Sequence, residues 1–383
     1  MNNSLKRVLL VCVYLFALTD QTSADSLSDA QRAYHEKDYA KAEKLLRPLA
    51  EQGNAFAQFD LGTIYDNGQG VPQDYKEAVM WYQLAAAQGN AFAQVNLGFM
   101  YENEKGVPQD YKAAVKWFRV AADQGNAVAQ FNLGLMYENG KGVPQDYDEA
   151  VRWFRLAAKQ GNAKAQTSLG LMYETEKGVP QDYQEAVKLF RLAADQGNAV
   201  AQANLGLMYD LGLSVPADYK QAVKWFRLAA DHGNAGAQFC LGWMYYSGQG
   251  VPQDYSEAVK WYRLAAAQGN TDAQSDLGFM YESGQGVPRD YNEAVKWYRL
   301  AAEQGAASAQ YMLANMYNYG LGVPQDFVLA YMWANIAATN APADQLQERA
   351  IYRDSIAKNM TAPKIAEAQE LAIKCTANKF KGC

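Results

Sequence analysis

Residues 53–88 read GNAFAQFDLGTIYDNGQGVPQDYKEAVMWYQLAAAQ, and the same frame returns every 36 residues after that. Its clearest mark is the dipeptide Val71-Pro72. It recurs at Val107-Pro108, Val143-Pro144, Val179-Pro180, Val215-Pro216, Val251-Pro252, Val287-Pro288 and Val323-Pro324, so eight of the 11 prolines are one proline repeated. Gly53, Gly89, Gly125, Gly161, Gly197, Gly233, Gly269 and Gly305 keep the same interval with no insertion. A fixed period of this size is the signature of a solenoid, in which each unit buries its apolar face against the next. It replaces the two or three domains that length alone would favour with one array.

Each unit parses into two helices. Asn54 is placed to cap the first, which carries Ala57, Leu61 and Tyr65 four residues apart on one face. Gly68 and Gly70 end it, and Pro72 keeps the chain extended. Asp74 then caps the second helix, with Glu77 three residues on as in a capping box. That helix runs through Ala78, Val79, Trp81, Tyr82, Leu84 and Ala85 to Gln88. Small residues at Gly62, Ala78, Ala85 and Ala86 allow close helix approach.

The run Gly-Asn-Ala-x-Ala-Gln-x-x-Leu-Gly-x-x-Tyr, then Gly-x-Gly-Val-Pro-x-Asp-Tyr, then Ala-Val-x-Trp-Tyr/Phe-x-x-Ala-Ala closely resembles the Sel1-like repeat, a relative of tetratricopeptide repeats. The resemblance covers the chain from about Asp29 onward. It implies an all-α fold of antiparallel hairpins stacked into a right-handed superhelix, with scaffold or adaptor roles that include envelope and host-facing ones. The expected organisation is a signal peptide at 1–24, a capping hairpin at 25–52, eight repeats at 53–340, and capping helices with a disulfide tail at 341–383.

Comparing the repeats with one another separates frame from surface. The positions of Ala57, Gln58, Leu61 and Tyr65 hardly change, whereas those of Phe56, Phe59, Asp60 and Thr63 vary freely and share one helix face. The resemblance implies that this face lines the concave groove. It presents Phe56, Phe59, Phe92, Phe99, Phe131, Phe239, Trp243, Phe279 and Tyr311, an apolar set suited to peptide or protein recognition. Asn96, Asn132 and Asn204 belong to a ladder at the Asp60 position that could hydrogen-bond an extended backbone. The alternative is that these amides bond locally and the rings pack between repeats. Phe239 and Trp243, one turn apart, are the favoured anchor.

The 383 residues are 49% hydrophobic and carry 41 acidic against 35 basic side chains, a net charge of −6. That balance argues against general nucleic-acid binding. The second helices do carry a basic stripe, from Lys116 and Arg119 to Lys296 and Arg299, but acids such as Glu149 and Glu293 lie within a turn or two. A solvated, locally paired face is the expectation. Two histidines leave little room for a histidine-rich metal site. His232 occupies a slot that is glutamine in most repeats. No nucleophile elbow, zinc-protease helix or phosphate loop is present. Neither catalysis nor a cofactor or metal is expected. The competing class, drawn from secreted members of the resembled family, is a cell-envelope hydrolase or a binder of cell-wall or β-lactam ligands.

Lys6 and Arg7, the apolar run Val8 to Leu18 and the small residues Thr22-Ser23-Ala24 read as a cleaved signal peptide. Export to a periplasm or the outside follows as the expectation, with no stable membrane insertion and a monomeric chain. Cys375 and Cys383, eight apart, could close a small disulfide, and Cys240 is left as a free thiol. The fifth repeat departs most from the frame, with Leu211, Leu213, Ser214 and Ala217 in place of the usual turn residues.

Overall fold

The computed structural model describes residues 26–383, so the signal peptide read at 1–24 lies outside the described residues. Among the described residues there are twenty helices and no strand: the chain is an all-α repeat solenoid. It comprises two compact units, one ending at Leu189 and one running from Phe190 to Cys383. Among the described residues, no helix is long and apolar enough to cross a membrane.

Unit one opens with helix 26–35 and Tyr39–Glu51, then continues in pairs such as Ala55–Asn67 with Tyr75–Ala87 and Ala127–Asn139 with Tyr147–Lys159. Unit two repeats the pattern in Ala199–Leu211 with Tyr219–Asp231, Ala235–Ser247 with Tyr255–Ala267, and Thr271–Ser283 with Tyr291–Glu303. It closes with Phe327–Asn340, against which both Leu346–Ala357 and Ala362–Ala377 pack. These last two match the expected capping helices to within a few residues. Cys375 and Cys383 are bonded, with their Cα atoms 5.7 Å apart.

The caps form as the sequence dictates, with one difference. Asn54 accepts from the Ala57 amide, and Asp74 accepts from the Lys76 and Glu77 amides. Each such cap stabilises its helix by about 1 kcal/mol. The return half of the capping box is not made: the Asp74 amide donates to the Tyr65 carbonyl of the preceding helix at 3.0 Å, and Glu77 accepts from the Trp81 indole instead. The turn itself already occupies the donor that the glutamate would have served.

Two features hold each hairpin together. The ring at the Tyr82 position is fully buried and lies flat on a glycine of the first helix. A methyl group on Gly62 would sit 2.7 Å from the Tyr82 ring, and one on Gly134 2.6 Å from the Phe154 ring. Unit two repeats this at Gly206 with Phe226 and Gly242 with Tyr262. The eighth repeat confirms the logic by exchanging both members: Ala314 replaces the glycine and Ala334 the ring, and Trp333 fills the core nearby with no exposure. Gly70 has a different reason, combining a φ of +71° with an approach so close that a Cβ would lie 2.6 Å from the Ala40 amide nitrogen.

The second feature is a buried glutamine. Gln58 donates to the Ala50 carbonyl at 3.0 Å and accepts from the Gln88 amide at 2.7 Å. Gln94 with Gln124, Gln130 with Gln160, Gln238 with Gln268 and Gln274 with Gln304 do the same. His232 takes the glutamine's part, its Nδ1 lying 3.3 Å from the Gln202 carbonyl oxygen. Gln202 gives its own amide hydrogen to Ala194, so its oxygen is an acceptor and the proton sits on Nδ1. The histidine is a structural donor.

Candidate interaction site

The variable face of the first helices is not uniformly free. Phe56 and Phe92 are exposed, at 62% and 63%. Phe59 is half-buried between the Tyr82 and Phe92 rings, with centroids 6.1 and 5.9 Å away. Phe99 packs edge-on against Phe118 and Phe131 tilts against Phe154. Phe239 likewise packs on Tyr262, 5.8 Å between centroids. Tyr311 is covered: the Tyr352 ring lies 4.8 Å away and the Arg349 guanidinium stands 4.1 Å from its centroid. Phe59, Phe131 and Phe239 sit one turn before the glycine on which the second-helix ring lies, and they help to enclose that ring.

The amide ladder is closed on its own helices rather than open to a partner backbone. Asn132 donates to the Val128 carbonyl at 2.7 Å and Asn204 to Val200 at 2.9 Å, while Asn96 lies beside the Tyr82 hydroxyl. A short amide four residues from a free-facing carbonyl bonds back to it when no partner competes.

The basic stripe is occupied. Arg47, Arg119, Arg227 and Arg299 each bond the tyrosine hydroxyl of the next first helix, at Tyr65, Tyr137, Tyr245 and Tyr317, and Arg155 reaches Tyr173 at 2.9 Å. Lysines pair with glutamates one turn earlier, Lys188 with Glu185, Lys260 with Glu257 and Lys296 with Glu293.

Unit one leaves Phe56 and Phe92 accessible as single rings, whereas unit two gathers its accessible rings around a hollow. Trp243 is 45% exposed and stacks on Tyr246, 5.6 Å between centroids and 27° between planes; Phe279 is 39% exposed on the following first helix. Two adjoining hollows open around Trp243. The larger, about 360 Å³, is lined by Asp210, Phe239, Cys240, Trp243, Met244 and Asp276. The smaller, about 90 Å³, lies among Trp243, Tyr246, Tyr262, Asp276 and Phe279. Burial raises the pKa of the Asp276 carboxyl to about 6, with the neighbouring Tyr262 opposing and Asp272 adding to the rise. Burial and the Asp210 charge push the Cys240 thiol to about 11, so it stays protonated. The cleft is therefore an aromatic hollow with acidic groups in its wall.

Of the expected anchor, the structure separates two roles. Phe239 supports the cleft from within, and Trp243 offers its face to solvent. Asp210, Tyr246 and Tyr262 were not singled out by sequence. Tyr246 stands where other repeats carry an acid, at Asp66, Glu102, Glu138, Glu174, Asp210 and Glu282, so one departure from the frame did mark the place.

Similarity to known proteins agrees with this architecture. The Sel1 repeat model matches nine stretches, at 31–54, 55–90, 91–126, 127–162, 163–198, 199–234, 235–270, 271–305 and 307–341, and so counts residues 31–54 as a repeat where capping alone was expected. A Sel1 repeat protein from Oxalobacter formigenes is similar at 36% identity, with 80% of this chain and 88% of that one covered and a TM-score of 0.59. A protective antigen present in uropathogenic Escherichia coli strains, displaying an SLR fold, is 32% identical over 96% of each chain, with a TM-score of 0.43. Comparison with curated proteins found no match. Sel1 repeat proteins are generally non-enzymatic scaffolds that mediate protein interactions. With nine matched stretches covering most of its length, this chain belongs to the Sel1 repeat family.

Proposed function

We propose that this chain is an exported interaction scaffold that binds a peptide or protein segment on the variable face of its first helices, with Trp243 at the centre of the contact. The observation that carries the reading is the half-exposed Trp243, stacked on Tyr246 and standing over an open cleft. A rigid, exposed aromatic beside a hollow is the kind of residue that dominates binding energy at protein interfaces. Export rests on the charged and apolar N-terminal pattern and on the Cys375–Cys383 bond, which an oxidising compartment preserves.

The test is affinity capture from periplasmic and host-protein extracts with the tagged mature chain and its Trp243→Ala variant. Loss of a specific captured protein, with the circular dichroism spectrum and Tm unchanged, supports the assignment. Undiminished capture by the folded variant removes Trp243 from the interface. Phe239→Ala is the poorer probe, because its ring packs on Tyr262 and its loss disturbs the core. The hydrolase alternative requires turnover that survives purification and depends on a named side chain.

A further inference from the structure

Unit one supplies cations to its own acidic and aromatic hollows. Lys105 stands 5.1 Å from the Tyr75 ring centroid, Lys141 5.4 Å from Tyr111 and Lys177 5.7 Å from Tyr147; burial raises the pKa of Asp66, Glu102 and Glu138, and these lysines respectively oppose the rise. The 36-residue interval places Leu213, Gln249, Gln285 and Leu321 at the corresponding positions of unit two, all neutral, while in unit one only Gln69 lacks the charge. No cation acts on Asp210 or Asp276 as these lysines act in unit one. Burial is what acts on Asp210, and Asp276 faces Tyr262 and the like charge of Asp272, whereas Asp60, at the same position in unit one, has His35 beside it. A second observation marks the same cleft. Tyr262 is 1% exposed, and its buried hydroxyl lies beside the Asp276 carboxyl, so that an acid and an aromatic ring share one wall of the open hollow.

We propose that this cleft receives a lysine or arginine side chain of a protein partner, with Trp243 and Tyr246 supplying the cation–π face and Asp210 and Asp276 the opposing charge. The assignment rests on the scaffold reading above and narrows its partner to one presenting an exposed basic segment. The chemistry is that of unit one's lysines over their tyrosines, supplied from outside. Aromatic faces attract cations through the ring quadrupole, and the attraction grows when water is excluded. A cation entering beside two partly buried carboxylates also offsets their desolvation.

The experiment uses the full mature chain labelled with 5-fluorotryptophan, its Trp243 signal assigned from the Trp243→Phe spectrum. The probes are two acetylated, amidated pentapeptides, Gly-Ser-X-Ser-Gly, with X either arginine or the neutral isostere citrulline. A saturable shift of the Trp243 signal with the arginine peptide, and about tenfold weaker binding of the citrulline peptide, is the expected result. Asp276→Asn, which conserves shape, should remove that preference. Gln249→Lys, which restores unit one's lysine in unit two, should weaken the arginine peptide by competition. Equal binding of both peptides would overturn the cationic assignment while leaving the cleft, and the scaffold reading, in place. No shift with either peptide would overturn the cleft as a site for this side chain, and the capture experiment would then decide the scaffold reading separately.

Discussion

The two units are built on the same frame and differ in how their polar groups are settled. In unit one, Trp81 and Trp153 donate their indole hydrogens to Glu77 and Glu149, and loop lysines cover the tyrosines and neighbouring acids. In unit two, Glu257 and Glu293 pair with Lys260 and Lys296, and the Trp261 and Trp297 indoles are left without partners. Lysine gives way to Gln249, Gln285 and Leu321. Glu174, whose Oε2 is buried and unpartnered, is the exception on the unit-one side. A repeat protein can divide its labour in this way because each hairpin is held chiefly by its neighbours. One stretch can keep unsatisfied groups for a partner without loosening the frame elsewhere.

If the frame is common, its loss should cost the same in either unit. Phe118→Ala and Phe226→Ala each remove a fully buried ring from the same place and should destabilise by about 3–5 kcal/mol, read from the urea midpoint. A markedly smaller loss in unit two would show that its frame is looser. Next in size, Gln130→Ala and Gln238→Ala leave the Gln160 or Gln268 amide and an alanine carbonyl without their partner. About 1–3 kcal/mol is expected for each, and amide hydrogen exchange in the flanking helices should rise locally.

These differences were unequally legible in the sequence. The fold was readable because Val71-Pro72, Gly53 and Asp74 recur without an insertion, and a strict period leaves one architecture. The pairing of Gly62 with Tyr82 lay within reach of the same comparison, since Ala314 and Ala334 change together. The site was harder. Phe56, Phe59 and Trp243 share a face by periodicity, but which ring is enclosed depends on the side chain of the second helix, 23 residues on from Phe59 at Tyr82. The Asn132 and Asn204 amides looked available because periodicity gives a direction and not a partner. The absence of lysine at Gln249 was visible in the text, yet its meaning required knowing that Lys105 reaches back over Tyr75.

The matched pair Asp60 and Asp276 gives a comparison in pH. Burial raises both carboxyls from 3.8 to about 6. A carboxyl whose pKa is higher folded than unfolded stabilises the fold below about pH 4, and the contribution is lost as pH rises through about 6. Asp276→Asn should therefore match the parent near pH 4 and exceed its stability above pH 7 by about 1–2 kcal/mol, the pKa difference being discounted for partial exposure. Asp60→Asn should gain a similar amount, because burial outweighs the relief from His35 and Gln31 and raises its carboxyl to the same level. Thermal melts at pH 4 and pH 7.5 measure both. A stabilising substitution that also removes arginine-peptide binding would mark Asp276 as kept for recognition at a cost to the fold.

The smallest contrast concerns the backbone. Glu104 and Glu176 hold φ of 58° and 57° where Gly68 and Gly140 close the equivalent helices, and Ser214 holds 57° at the position of Gly70. An L-residue with a Cβ is strained in this region, while glycine loses more chain entropy on folding, so the net gain from Glu176→Gly should be only about 0.5–1 kcal/mol. Ser214→Gly should gain a similar amount and restore to the fifth repeat the glycine that the others keep. If the serine variant alone failed to stabilise, the turn at Leu213 and Ser214 would be holding a geometry of its own, and the fifth repeat would differ from the frame in structure as well as in sequence. Equal gains at both sites would place its departure, including the exposed Leu211, on the surface alone.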